Sequence, residues 1–512
     1  MYSTVISGAI LGVNSFLTNI EIDMTNGLPC FDMVGMPGSE VKESKERVKI
    51  ALKNMNISIP PMHITINFSP ANVRKEGSAF DLPIAMGLLA SMNHLPPEHF
   101  KDLLIIGELG LNGEIKAAKG ILPIVIEAKK AGIKRVIVPK ANAAEGAIIS
   151  DIDVYGVAHL QEAISLLSLP PENMSFFLSP TKAEKEKLEP SHDDYLDFSD
   201  INGQESLKRA ATIAAAGFHH FLMIGPPGSG KTMIAKRLPT ILPPLSLKES
   251  LEVSSIYSVS GLLNEERSLI TDRPFMSPHH TITEKALVGG GLIPHPGVIS
   301  LAHRGVLFLD ELTEFKRSTI DILRQPLEDK VIHIARSSGT FIYPANFMLV
   351  GACNPCPCGY YPDTQQCNCT QHEVKRYLNR ISGPILDRMD ITIEAPKITY
   401  KELSSTQSKN ETSSSMRNRI LAARQRQEYR YRDLPYTFNS DLSPKDLSYF
   451  CKLGTKEQAF MEQLFQVMHL SARAYHRLLR VSRTIADLED SAEIKEEHLC
   501  EAVCYRMVED KQ

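Results

Sequence analysis

The sequence predicts an α/β protein built from two successive units that alternate strand and helix, closed by a mostly helical segment. Three observations carry this reading. Short β-type runs (HITINFS, LLIIGELGL, RVIVP) alternate with stretches of helical spacing, SEVKESKERVKIALKN and ILPIVIEAKKAG. Farther along, FLMIGPPGSGKTMIAKRL sets an apolar run, a glycine-rich loop and a helical pattern in that order. Two breaks then divide the chain: the proline- and charge-rich stretch from Pro170 to about Asp200, and SSTQSKNETSSS. The expected domains are residues 1–168, a linker at 169–200, a core at 201–397 and a helical lid at 398–512.

At 512 residues, with 43% hydrophobic and 23% charged side chains, the chain has ordinary globular composition and room for several cores. A net charge of −4 predicts no general attraction to nucleic acid or anionic membrane, so any such binding has to come from local basic patches. No stretch approaches the ~20 apolar residues of a membrane span. The opening MYSTVISGAILGVNSFL lacks a basic start and a small-residue cleavage site. The expectation is a cytoplasmic protein with no membrane partner.

In the second unit, Gly225, Pro226, Pro227, Gly228, Ser229, Gly230, Lys231 and Thr232 form the pattern G-x-x-x-x-G-K-T between strand and helix. Glycines there let successive backbone N–H groups turn toward phosphates, a lysine neutralises their charge, and a threonine hydroxyl ligates Mg²⁺. The order strand, loop, helix favours nucleotide binding over a structural turn. Downstream, GVLFLDELTEF ends an apolar run on Asp310 and Glu311. Such a strand delivers carboxylates to the same crevice: Asp310 to hold Mg²⁺, Glu311 to orient or deprotonate the attacking water. The plainer alternative is two acids ending a strand and capping the next helix.

Five of the nine cysteines fall between residues 353 and 369. Cys356, Cys358, Cys367 and Cys369 form two close pairs around a turn-rich loop and can supply a closed structural Zn²⁺ site, in a loop expected over 353–372. Cys353 reads as core, and His372 is a possible replacement for one thiolate. The alternative is a redox-labile thiol cluster. Between Glu328 and Asn346, two β runs around SSG predict a hairpin, with Lys330, His333 and Arg336 as candidate phosphate contacts. The segment Arg417–Arg432 interleaves basic residues with Tyr429 and Tyr431, a composition that suits single-strand binding or a plain exposed helix.

Together with NFMLVGACNP, ISGPILDRMD and HLSARAYHRLLRVSRTIADL, these pieces resemble the AAA+ ATPases, in the magnesium-chelatase-like branch that includes the ComM/YifB family. The resemblance spans nearly the whole chain. It implies ATP as the nucleotide, and Asn354 as the polar residue that positions water, against a plain turn before Pro355. It also implies Arg388 (rival Arg380) as a finger in the neighbouring subunit's site, and Arg473 (rival Arg477) on the γ-phosphate. A finger given in trans requires an oligomer, and the family implies a hexameric ring. The implied activity is a DNA motor, a helicase or branch-migration factor on single- and double-stranded DNA, which serves homologous recombination during natural transformation alongside recombination proteins. Its alternative is an ATPase that remodels a protein partner.

FSPANVRKEGSAFDLPIAMGLLA and GELGLNGEIKAAKGILPIVIEAKKAGIKRVIVP resemble the Lon-type, ribosomal-S5-like fold. Ser78 falls near the nucleophile position of Lon proteases, but Ile124 or Pro123 stands where the paired lysine belongs, so the dyad is expected to be lost. Lys42, Lys45, Arg47, Lys49, Arg74 and Lys75 of this unit are candidate phosphate contacts or a solvated helix face.

Overall fold

The computed structural model describes residues 1–182, 196–291, 294–336, 339–398 and 410–506. Residues 183–195 of the expected linker, residues 404–409 of the serine-rich break and the hairpin turn at 337–338 lie outside the described residues.

The N-terminal unit is a seven-stranded mixed sheet. Its strands are β1 (Tyr2–Leu11), β2 (Asn14–Thr25), β3 (Cys30–Val34), β4 (His63–Ser69), β5 (Leu103–Ile105), β6 (Arg135–Pro139) and β7 (Asp153–Val157), in spatial order β3-β4-β2-β1-β5-β6-β7. Strand β4 buries every second residue, the period-2 pattern of a half-covered sheet. Helices α1 (Ser39–Asn54), α2 (Asp81–Ser91) and α3 (Ile121–Lys130) cover the sheet, and α2 is buried along its whole length.

After α4 (Glu205–Gly217) comes a five-stranded parallel sheet. In chain order its parts are β8 (Phe221–Ile224), α5 (Lys231–Ile241), α6 (Leu247–Ser260), β9 (Phe275–Met276) and β10 (Val306–Leu309). The hairpin β11 (Val331–Arg336) with β12 (Gly339–Pro344) follows, then β13 (Met348–Cys353), α7 (Gln371–Leu378) and β14 (Ile391–Glu394). The sheet order is β9-β10-β13-β8-β14. Strands β8, β10 and β13 are buried at every residue, as their unbroken apolar runs require of a parallel sheet covered on both faces.

The C-terminal segment is helical: α8 (Ser413–Tyr431), α9 (Thr455–Val467), α10 (Ala472–Leu488) and α11 (Glu496–Cys504). Its apolar faces share one core with α4 and the sheet, and Arg209 of α4 grips Glu501 of α11 through two bonds of 2.8 Å. Helix α10 buries Leu478, Leu479, Val481 and Ile485, leaving Arg473, Arg477 and Arg480 in a basic stripe at helical spacing. The N-terminal unit rests on α6. The Gly120 N–H donates to Ser258 O (3.1 Å), and the Ser258 hydroxyl donates to the buried Glu145 carboxylate, which also accepts from the Leu122 N–H (2.9 Å). Among the described residues, no helix is long and apolar enough to cross a membrane.

Candidate active site and thiol cluster

Parallel strands release their loops at one edge, and the catalytic candidates collect there. Ile224, the last residue of β8, lies level with Cys353 of β13, and Leu309 of β10 lies level with Gly351. The P-loop, Asp310–Glu311 and Asn354 therefore leave three adjacent strands at the same carboxyl edge. Gly228 and Gly230 take φ values of +76° and +84°, a region that glycine enters without strain and that turns the loop around its own N–H groups. Buried Lys231 donates to Gly225 O (2.7 Å) and Pro226 O (2.9 Å), and burial lowers its ammonium pKa below the ordinary lysine value.

The Thr232 hydroxyl donates to Asp310 Oδ2 at 2.8 Å, and Asp310 Oδ1 accepts the Glu311 N–H at 3.0 Å. The hydroxyl and the carboxylate that would ligate Mg²⁺ are thus already in contact, although 78 residues separate them in the chain. Glu311 stands at φ +51°, a strained conformation for a side-chain-bearing residue, and its side chain is 64% exposed. His280, a residue without a sequence signature of its own, brings Nδ1 to 3.7 Å from the Glu311 carboxylate and lies against the His279 ring at a tilt of 35°.

The two arginine candidates from the strand β14 approach and the lid lie elsewhere. Arg388 and Arg473 line one cavity of about 420 Å³ together with His220, Phe347 and Asp390. Those three residues precede β8, β13 and β14, so the cavity sits at the amino edge of the sheet, opposite the P-loop. Arg388 pairs with Glu328 and Arg473 stands 3.8 Å from the same carboxylate; the rival Arg477 bonds Met389 O and Leu386 O. Arg473, 68% exposed, therefore faces away from its own nucleotide loop. The rival Arg380 leans on Glu314, just beyond Glu311, and stacks on Tyr377. Glu328, the shared partner, carried no signal in the sequence.

His220 gives this edge a pH response. Burial and the neighbouring cations push its imidazole down to about 4, while its Nδ1 accepts the Leu349 N–H at 3.1 Å. An unfolded histidine titrates near 6.5, so between about 6.5 and 4 the unfolded state binds the proton first and stability falls as pH falls. The contribution is on the order of 1–3 kcal/mol, toward the lower end because the ring opens onto the cavity. His220→Asn, which keeps an acceptor for Leu349, is expected to flatten the decline of Tm between pH 6.5 and 4.5; an unchanged slope would assign it to other groups.

Cys356, Cys358, Cys367 and Cys369 converge, with all four sulfurs within 4.8 Å of one another and His372 outside the group. Sulfur separations are 3.3 Å (356–358), 3.4 Å (358–367) and 3.8 Å (356–367). A tetrahedral zinc with Zn–S of about 2.3 Å spaces its thiolates by about 3.8 Å, so the donor set fits that ion with only small movements. Cys353 stays apart, its thiol pushed up to about 12 by burial, as befits a core residue.

Several basic candidates are occupied by the fold. Arg47 bonds Asp81 at 2.7 and 2.9 Å, and buried Lys75 donates to the carbonyls of Gly35 and Phe68 at 3.2 Å. Ser78 donates to the Glu108 carboxylate, where a Lon-type nucleophile meets a lysine. On α8, Arg417 bonds Thr240 O and Arg430 bonds Asp487, while Tyr431 is buried; Tyr429 stays exposed with Arg432 over its ring. Lys330 pairs with Asp441 at the hairpin base, whereas Arg336 stands at the tip and its Nη2 lies 3.2 Å from where a side chain at Gly290 would begin.

Comparison with known proteins agrees with this geometry. Residues 197–403 match the family described as magnesium chelatase, subunit ChlI; residues 20–142 match subunit ChlI of Mg-chelatase; residues 410–506 match magnesium chelatase, subunit ChlI C-terminal. A shorter stretch of 149 residues, 28% of this chain and 26% of the other, is 30% identical to Lon protease 2 of Bacillus subtilis. The chain is 42% identical to the competence protein ComM of Haemophilus influenzae over 504 residues, 98% of this chain and 97% of that one. It is equally 42% identical to the uncharacterized protein YifB of Escherichia coli, over 99% and 97% of the two chains. By that full-length identity the chain belongs to the ComM/YifB family of magnesium-chelatase-like AAA+ ATPases.

Proposed function

We propose that this protein is an ATP-hydrolysing ring motor that moves on DNA. The observation that carries the reading is the split of its catalytic groups between two edges of one sheet. Lys231, Thr232, Asp310, Glu311 and Asn354 gather at the carboxyl edge, and Arg388 and Arg473 at the amino edge. A strand of four residues separates those edges by roughly 13 Å of backbone, so the arginines serve a neighbouring copy's nucleotide, and head-to-tail repetition closes into a ring, here a hexamer. Arg473, expected from the family resemblance to reach a γ-phosphate, is assigned in this proposal to the neighbour's site.

In the assembled site, the P-loop amides and Lys231 hold the phosphates. Thr232 and Asp310 hold Mg²⁺, which when bound neutralises charge on the β- and γ-oxygens. Glu311 takes up or orients the proton of the attacking water, and Asn354 fixes the water's other side. The N-terminal unit serves as a Lon-like scaffold without the Ser-Lys pair, the C-terminal helices form the lid, and the four thiolates hold a structural Zn²⁺. The proposed domain limits are 1–168, 201–397 and 398–512, with the linker at 169–200 between the first two.

DNA as substrate is supported by two features, the competence name of the Haemophilus relative and the hairpin tip at Arg336. Single- and double-stranded DNA, branch migration during natural transformation, recombination proteins as partners and a cytoplasmic location complete the proposal. A second reading, remodelling of a protein partner, is favoured by the chelatase-subunit description of the three matching families. Steady-state ATP turnover with and without single- and double-stranded DNA at two salt concentrations separates them. Salt-sensitive stimulation supports the DNA motor, and a rate indifferent to DNA supports protein remodelling. Arg336→Ala is expected to weaken DNA binding across sequences and to reduce the salt slope by about 1. Unchanged slope and affinity would remove the hairpin tip from the interface.

A further inference from the structure

We propose that the four-thiolate knuckle is a metal-dependent clamp on the nucleotide loop, so that zinc at Cys356, Cys358, Cys367 and Cys369 and nucleotide at the P-loop strengthen each other's binding. This inference rests on the nucleotide and zinc readings above. The contact is direct. Gly359, at φ +89°, turns the knuckle, and its N–H donates to Cys356 O at 3.0 Å. A methyl group at Gly359 would sit 2.8 Å from Cδ and 3.0 Å from Cγ of Pro227, and 3.8 Å from Asn354 Nδ2. The knuckle backbone therefore lies against the P-loop and against the residue assigned to position water. Only a glycine permits that approach.

The other end of the knuckle reaches the opposite side of the site. Cys369 is followed by Thr370, whose Oγ1 accepts the Glu373 N–H at 3.2 Å and caps α7. Helix α7 carries Tyr377 to the Thr313 hydroxyl, 2.6 Å away and two residues beyond Glu311. Lys397 returns from the end of β14 to Gln366 within the knuckle at 3.2 Å. The loop thus lies against the P-loop and Asn354, and the helix α7 that it caps reaches the segment behind Glu311.

The loop has no core with which to hold that posture by itself. From Cys356 to Thr370 only Cys356 and Gly359 are buried, and Tyr360 and Tyr361 face solvent. A loop so poor in apolar burial needs a cross-link, and four thiolates around one ion supply it. With the ion bound, Gly359 is held against Pro227 in the arrangement that shapes the phosphate cradle. Without it, the loop gains many conformations and few of them make this contact. A ligand that favours the ordered cradle then favours the metal, and linkage makes the effect reciprocal.

The test uses the full-length wild-type protein. Zinc content is measured by elemental analysis, and zinc affinity by equilibrium competition against a chromogenic chelator, with and without saturating ADP. Zinc is expected to bind about fivefold or more tightly in the presence of ADP, within the usual range of coupling between sites. Cys367→Ser is expected to lose zinc and to bind a fluorescent ADP analogue more weakly by the same factor. Equal zinc affinity with and without ADP overturns the clamp, as does unchanged ADP affinity in the zinc-free variant. If the variant does not fold, the wild-type competition decides alone. Wild-type protein that purifies without zinc and takes none up defeats the metal reading, wild-type protein that fails to bind ADP directly defeats the nucleotide reading, and either result overturns the clamp with it.

Discussion

Arg388→Ala is expected to lower ATP turnover by about 10³-fold or more, the scale of an arginine finger, with nucleotide affinity changed far less. Within its own chain Arg388 pairs with Glu328 and donates to Pro384 O, while its Nε is buried without a hydrogen-bond partner among the described residues. Reaching a neighbour's γ-phosphate exchanges the Glu328 contact for a more highly charged one. The decisive experiment mixes Arg388→Ala subunits with Lys231→Ala subunits. Each parent is inactive, but an interface that joins the P-loop of the first to the arginine of the second is complete, and about a quarter of interfaces in a random ring have that composition. Recovered turnover on mixing places the arginine in trans. No recovery, with assembly intact by sedimentation, would show that Arg388 acts inside its own subunit or not at all.

Glu311→Gln carries the second large effect, a loss of about 10²–10⁴ in turnover, with ATP still bound. The substitution keeps the size of the side chain and its backbone at φ +51°, and the Asp310 bond to the backbone N–H is untouched. Only the ability to take a proton is removed. The variant is therefore expected to trap the ATP-bound ring, visible as retained labelled ATP where wild type retains ADP. Turnover within tenfold of wild type would move the water-activating role to another group, with His280 at 3.7 Å as the first to examine.

What the sequence made legible and what it hid follow from the range of the interactions concerned. A phosphate cradle is made by consecutive residues, so Gly225–Thr232 announces itself in one line of text. Asp310 and Glu311 were readable because a buried strand must end where its apolar run ends. The thiol cluster was readable because four sulfurs within fourteen residues carry the pair spacing of a metal site in the sequence itself. By contrast, the fate of a cation depends on which acid folding brings to it. Arg47, Lys75 and Arg430 look like surface charge in the sequence, but Asp81, the Gly35 carbonyl and Asp487 claim them across separations of 34, 40 and 57 residues. The edge of the sheet that Arg473 would face was equally invisible, because it depends on how α10 packs on α4 and not on the spacing of its arginines. Likewise, β9 forms only two residues of strand, too short for periodicity to register.

The seating of the seven-stranded sheet on α6 has a mechanical consequence. Glu145 and Ser258 lock the two units at a buried contact, and Leu251 packs into the apolar cluster beside α3. Units joined in that way pivot together, like the head and handle of a single tool. In the proposed ring, a turn of the P-loop core relative to its neighbours would be delivered to the outer strand β3 as a wider sweep, growing with distance from the pivot. In that ring, Glu145→Ala would loosen the joint and uncouple the N-terminal unit from the core's movement while leaving ATP turnover in place.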